Sequence, residues 1–299
     1  MQSRRGSGVA GKQVVLTGGS NGIGLAAAEG LAARGANVAL VARDKARGEA
    51  AAARARAGAP GAAVDVLVAD LSSQADVRRL AAEVGSRYER VDVLANNAGA
   101  IFASRKITVD GVEQTWALNH LAPFLLTDLL LDKLRGSAPA RVITTASDAS
   151  KNAQIPFDDL DGTVAYDRGV GSGRGFRRYG QTKLANIVFT VELARRVQGT
   201  GVTAYSFHPG LVATNFNHNN GALMGLAMAL VKPFARSAAK GAETLLWLAE
   251  APEDALRSGG YYFDKKEIPV PAGGGVEGIG ARLWELSEKQ VEGPAGAPG

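Results

Sequence analysis

The sequence predicts an α/β protein: a single doubly wound domain whose parallel sheet of about seven strands carries helices on both faces. Three observations predict it. Short apolar, β-rich runs alternate with longer helical patterns from residue 11 to residue 291. A glycine-rich turn joins the first such run to the first helix. No linker or internal repeat splits the chain.

The elements follow in order. Gln13–Thr17 reads as a strand and Ile23–Arg34 as a helix. Asn37–Ala42 is a second strand, followed by an Ala/Arg-rich helix ending near Ala57. Ala63–Ala69 and Gln74–Tyr88 form the third strand and helix, and Val91–Ala95 the fourth strand. A long apolar helix is expected over Val112–Leu134. Ala140–Ala146 is a fifth strand, Tyr179–Val197 a helix and Val202–His208 a sixth strand. Two segments interrupt the alternation: a Gly-, Asp- and Arg-rich insertion loop at 151–178 and an apolar connection at 213–240. Residues 1–10 are expected to be flexible and the Gly/Pro-rich tail 292–299 disordered.

Composition excludes whole classes. No cysteine is present, which removes disulfides, thiolate metal sites and Cys nucleophiles. The three histidines, His120, His208 and His218, lack ligand spacing, so no metal site is expected. Lys and Arg exceed Asp and Glu by five, but they are scattered, which argues against nucleic-acid binding. No apolar run approaches the ~20 residues of a membrane span, and the N-terminus lacks a signal-peptide core. A cytoplasmic protein is expected.

The turn Thr17-Gly-Gly-Ser-Asn-Gly-Ile-Gly24 suits a pyrophosphate at a helix N-terminus. Missing Cβ atoms at Gly18, Gly22 and Gly24 allow close approach, and Ser20, Asn21 and Ile23 belong to the same cradle. At the end of the second strand the residue that would be a carboxylate in an NAD site is Ala42, and Arg43 follows it. NADP(H) is therefore favoured over NAD(H). Asp70-Leu71 ends the third strand, and Asn96-Asn97-Ala98-Gly99 makes a polar turn after the fourth. Asn119 lies in an apolar helical context and must find hydrogen-bond partners. Ser147 ends the fifth strand, at the edge where open α/β sheets bind ligands. Tyr179 and Lys183, in YGQTK, lie four residues apart and about 40° apart around a helix. Pro209-Gly210 ends the sixth strand, with Val212 and Thr214 just beyond.

Taken together and in this order, these motifs resemble the short-chain dehydrogenase/reductase family. The spacing G-x-x-x-G-x-G differs from the commonest Rossmann dinucleotide fingerprint and matches that family. Long separation of Ser147 from Tyr179, the IPFDDL segment, NHLAPFLLT and LWELS resemble its retinol-dehydrogenase-like branch, close to protochlorophyllide reductases. The resemblance implies an oxidoreductase acting on a CH–OH group with a nicotinamide cofactor. Asp70 would lie near the adenine and Asn97, Ala98 and Gly99 beside the adenosine side. Val212 and Thr214 would lie near the nicotinamide carboxamide. Tyr179 would be the acid–base, Ser147 would bind the reacting oxygen, Lys183 would bind the ribose and lower the pKa of Tyr179, and Asn119 would hold a water leading to Lys183. Relatives imply pairing into a homodimer or homotetramer through the two long helices. Residues 213–240 are expected to form a lid over a bulky hydrophobic small-molecule substrate. A non-catalytic NADP(H)-binding regulator of the same fold is the alternative; the complete Ser147, Tyr179 and Lys183 set argues against it.

Overall fold

Six of the apolar runs form the expected strands: β1 (Gln13–Thr17), β2 (Asn37–Ala42), β3 (Val64–Val68), β4 (Val93–Asn96), β5 (Ala140–Thr145) and β6 (Val202–Phe207). Two short strands complete the sheet, β7 (Tyr261–Phe263) and β8 (Lys266–Ile268). The computed structural model describes residues 8–167, 173–212, 235–271 and 276–292. Sheet order is β3-β2-β1-β4-β5-β6-β7-β8. The first seven of these strands run parallel, while β8 returns antiparallel to β7. Strand order reverses between β1 and β4, and their carboxyl ends open a crevice at that point.

Both faces of the sheet are covered, as the near-continuous apolar strands require. On one face lie α1 (Gly22–Ala32), α2 (Lys45–Gly58) and α9 (Ala238–Glu250), which bury small residues such as Ala27, Ala52 and Ala249 against Leu16, Leu40 and Tyr205. On the other lie α3 (Gln74–Arg87), α5 (Ala122–Leu129), α6 (Leu131–Gly136), α8 (Gly173–Arg196) and α10 (Val276–Val291). There Phe124, Phe189 and Trp284 meet at ring-centroid distances of 4.9 to 5.8 Å. Helix α10 also reaches back across the chain: Trp116 Nε1 donates to Gln290 Oε1 at 2.9 Å, and His120 Nε2 and Ser287 Oγ are 2.9 Å apart. Burial pushes the His120 pKa down to about 3, so the ring is a neutral packing group.

Several expectations change. The single helix expected over Val112–Leu134 is broken into α4 (Gln114–Trp116), a π-helical turn at Ala117–Leu121, α5 and α6. Pro123 offers no N–H to the preceding turn, and Asn119 is drawn to Ala100, so the α ladder widens there. Helix α8 begins at Gly173 rather than Tyr179, because Gly173 and Gly175 hide a start that packing enforces. The insertion is not a bare loop: it contains a 3₁₀ turn's exit at Lys151 and helix α7 (Thr163–Asp167). At the N-terminus Val9 is buried in the core and Gly11 N donates to Gly35 O, so the chain is tied down before residue 10. Ala238–Lys240, assigned above to the lid, are the first turn of α9, capped by Ser237. Residues 213–234 of the expected lid (213–240) and 293–299 of the expected tail (292–299) lie outside the described residues. Among the described residues no helix is long and apolar enough to cross a membrane.

Candidate active site

The glycine turn is built by exclusion. A Cβ on Gly24 would lie 2.0 Å from Gly18 O and 2.7 Å from Asn97 Nδ2, so only glycine lets α1 start against the turn. Gly18 takes φ +67° beside Ala98, which a side chain resists. Asn21 caps α1 by accepting from Gly22 N at 2.7 Å. Thr17 Oγ1 accepts from the N–H groups of both Asn97 and Ala98, at 2.9 and 3.0 Å. Asn97 Nδ2 in turn donates to Thr17 O at 3.1 Å. These bonds clamp the two turns that flank the crevice.

At the end of β2, Asp44 caps α2: its carboxylate accepts from Arg47 N at 2.8 Å. That oxygen is committed to the helix, and Arg43, Asp44 and Arg47 all line the crevice. Asp70 closes an Asx turn, accepting from Ser72 N and Oγ at 2.9 and 2.7 Å.

The opposite end of the crevice holds the reactive groups. Gly180 lets α8 approach the turn after β5, since a Cβ there would sit 2.5 Å from Ala149 O. This brings Tyr179 beside Ser147, whose hydroxyl favours the ionised form of the phenol. Lys183 Nζ donates to Thr145 O at 2.8 Å and stands 5.6 Å from the centre of the Tyr179 ring. Asn119 is fully buried; it accepts from Ala100 N at 2.8 Å and donates to Ala100 O at 2.9 Å and Thr182 Oγ1 at 3.1 Å. Its side chain is thus a brace between α8 and the turn after β4.

Burial sets the charges. Desolvation pushes the Tyr179 phenol up to about 12, with the Ser147 hydrogen bond pulling the other way. Desolvation pulls the Lys183 ammonium down to about 7. In the free protein, burial is the largest influence on the Tyr179 phenol and raises its pKa. Tyr179 rests as a neutral phenol.

Against this geometry the comparisons are unambiguous. Residues 12–157 match the family model described as short chain dehydrogenase. Mouse (Mus musculus) retinol dehydrogenase 12 is 40% identical over 279 residues, 93% of this chain and 86% of that protein. The chain belongs to the short-chain dehydrogenase family. A Streptomyces sp. (strain C5) protein, DnrU, whose name provisionally assigns it daunorubicin C-13 ketoreduction, is 42% identical over 95% of this chain and 94% of its own. Among solved structures, the Pseudomonas aeruginosa RhlG/NADP complex is 30% identical with TM-score 0.67, covering 85% of this chain and 95% of its own.

The dehydrogenase crevice, about 340 Å³, gathers most of the residues expected from sequence. Gly18, Ser20, Asn21, Gly22, Ile23 and Gly24 line one end, and Arg43, Asp70 and Leu71 one side. Asn97, Ala98, Gly99, Tyr179, Lys183 and Pro209 complete the wall. Ser147 and Gly210 face a second, larger cleft of about 1220 Å³ on the far side of the reactive hydroxyl. Val212 lies beneath the wall, in reach of a Cβ on Gly241, and Thr214 lies outside the described residues. Arg47 and Ser72 were not expected; each sits a few residues past a strand end, where a strand-end rule stops short. Thr145 contributes a carbonyl, which no side-chain pattern reveals.

Proposed function

We propose that this dehydrogenase is an NADP(H)-dependent oxidoreductase that interconverts a bulky hydrophobic carbonyl compound and its alcohol. The observation that carries the reading is the convergence of Ser147, Tyr179 and Lys183 at the carboxyl end of β5, with the phenol protonated. The crevice fits a dinucleotide phosphate. Its glycine cradle admits no Cβ at Gly24, a helix N-terminus faces it, and Arg43 and Arg47 offer guanidinium donors for a phosphate, while one oxygen of Asp44, which also lines the crevice, is engaged in the α2 cap. NADP in the RhlG complex and in a Burkholderia cenocepacia relative of 26% identity and TM-score 0.67 supports the same choice.

When bound, the reduced cofactor supplies a hydride to the carbonyl carbon. Tyr179 Oη gives its proton to the carbonyl oxygen, and Ser147 Oγ donates a hydrogen bond to that oxygen as charge gathers on it. Lys183, anchored on Thr145 O, would hold the nicotinamide ribose and favour the phenolate that Tyr179 leaves behind. Thr182 and Asn119 keep the helix carrying both groups in register with the turn at Ala100. The second cleft beside Ser147 would receive the substrate: Phe176, Leu211, Phe263 and Ile268 give it apolar surface, and Leu211 is 52% exposed there.

Fluorescence titration with NADPH and NADH, followed by turnover of long-chain and polycyclic aldehydes and ketones, tests the reading. NADPH is expected to bind more tightly, and Tyr179→Phe to bind it with turnover reduced by about 10²–10⁴-fold. Tighter NADH binding would remove the phosphate assignment; no binding of either would favour another use of the fold.

A further inference from the structure

Arg178 precedes Tyr179 and is completely buried, as is its partner Glu113. Arg178 Nε donates to Glu113 Oε2 at 2.8 Å. One terminal nitrogen of the guanidinium donates to Gln181 Oε1 at 3.3 Å, the other to Leu160 O, and the plane lies 5.0 Å from the Trp116 ring centre. Glu113 is equally committed: it accepts from Thr115 N at 2.7 Å and Trp116 N at 3.0 Å, capping α4, and from Tyr166 Oη at 3.3 Å. Tyr166 belongs to α7, and Leu160 to the stretch before it, so one ion pair joins the insertion, the start of α4 and the start of α8.

The position of this pair on α8 gives it a consequence. Arg178 and Thr182 are four residues apart and form one stripe of the helix, as Tyr179 and Lys183 form the next. Each member of the first stripe is tied to the α4–π segment, Arg178 through Glu113 and Thr182 through Asn119. Two struts one turn apart fix the rotation of a helix about its own axis, which a single strut cannot do. That rotation decides where the Tyr179 oxygen stands relative to Ser147. An apolar pair could fill the same volume at no loss of stability, so the buried charges are not required by packing.

The geometry points to the Arg178–Glu113 pair as a positioning device for Tyr179, through which the 151–167 insertion is coupled to the reaction centre. The inference rests on Tyr179 being the proton donor. Arg178→Met alone would strand a buried carboxylate, so the informative variant is Arg178→Met with Glu113→Gln, which removes both charges and leaves an acceptor for the α4 cap. With NADPH and a reducible ketone, that variant is expected to keep its thermal midpoint and NADPH affinity while kcat falls about 100-fold, as for a displacement of the reacting group by about 1 Å. Arg178→Lys keeps the charge without the fork and is expected to fall between. A stable double variant with wild-type kcat would overturn the proposal.

Should the wild-type protein bind NADPH yet reduce no carbonyl, the functional reading fails and a second readout decides the strut. Acetylation by N-acetylimidazole, followed at the Tyr179 peptide by mass spectrometry, reports the placement of the phenol without turnover. A changed rate at Tyr179 with an unchanged rate at Tyr205 supports the pair; equal rates at Tyr179 in both proteins overturn it.

Discussion

Lys183 spends one of its N–H bonds on the backbone of Thr145, 2.8 Å away at the end of β5, and nearly its whole side chain is buried. A lysine so placed titrates far below its solution value, at about 7 instead of 10.5. Between those two values the unfolded chain binds a proton that the folded chain does not. Stability therefore rises as pH climbs from about 7 to about 10.5, and the burial penalty is felt in full below that window. Lys183→Met is expected to raise the thermal midpoint most near pH 6 and to flatten the rise above pH 7. Thermal melts of both proteins across pH 6 to 10 check this.

Tyr179→Phe removes the hydroxyl and little else, since the ring keeps its contact with Phe176. Turnover should drop by about 10²–10⁴-fold, the usual span of general acid catalysis. NADPH affinity should hold, which separates chemistry from binding in one titration.

Charge-assisted hydrogen bonds contribute about 1.5–3 kcal/mol each. Replacing both Arg43 and Arg47 by Ala should therefore weaken NADPH by about 100-fold or more, leaving NADH binding nearly unchanged. Equal losses for the two nucleotides would assign the arginines to the shared part of the cofactor.

Thr182 makes two hydrogen bonds, donating to Tyr179 O at 2.7 Å and accepting from Asn119 Nδ2 at 3.1 Å. Thr182→Ser keeps both and should be nearly silent. Thr182→Val leaves Asn119 Nδ2 short of one buried partner, at a cost of about 1–3 kcal/mol, measurable by urea unfolding.

Much of this was legible in the sequence because each signal depends on local chemistry. The alternation of apolar runs announced β1 to β6, and the glycines at 18, 22 and 24 announced the turn between β1 and α1. Tyr179 and Lys183 announced a shared helix face. What escaped notice depends on distant partners. The π turn at Ala117–Leu121 arises from Asn119 reaching to Ala100, and the early start of α8 from Arg178 meeting Glu113. Strands β7 and β8 are three residues each, too short to show a period of two. Spacing reports that Lys183 is near Tyr179 but not how little water surrounds the phenol, and burial raises its pKa in the free protein.

The reach of α10 has a bearing on how the protein comes into being. Ser287 meets His120 across 167 positions of the chain, and Gln290 meets Trp116 across 174. Trp116 is the ring on which Arg178 rests, and His120 adjoins Asn119. A nascent chain that has emerged only through β6 already holds Ser147, Tyr179 and Lys183, yet Trp116 and His120 still lack these partners. The residues translated after 276 thus complete the packing behind the π turn and α8, and a chain that stops before them lacks both contacts.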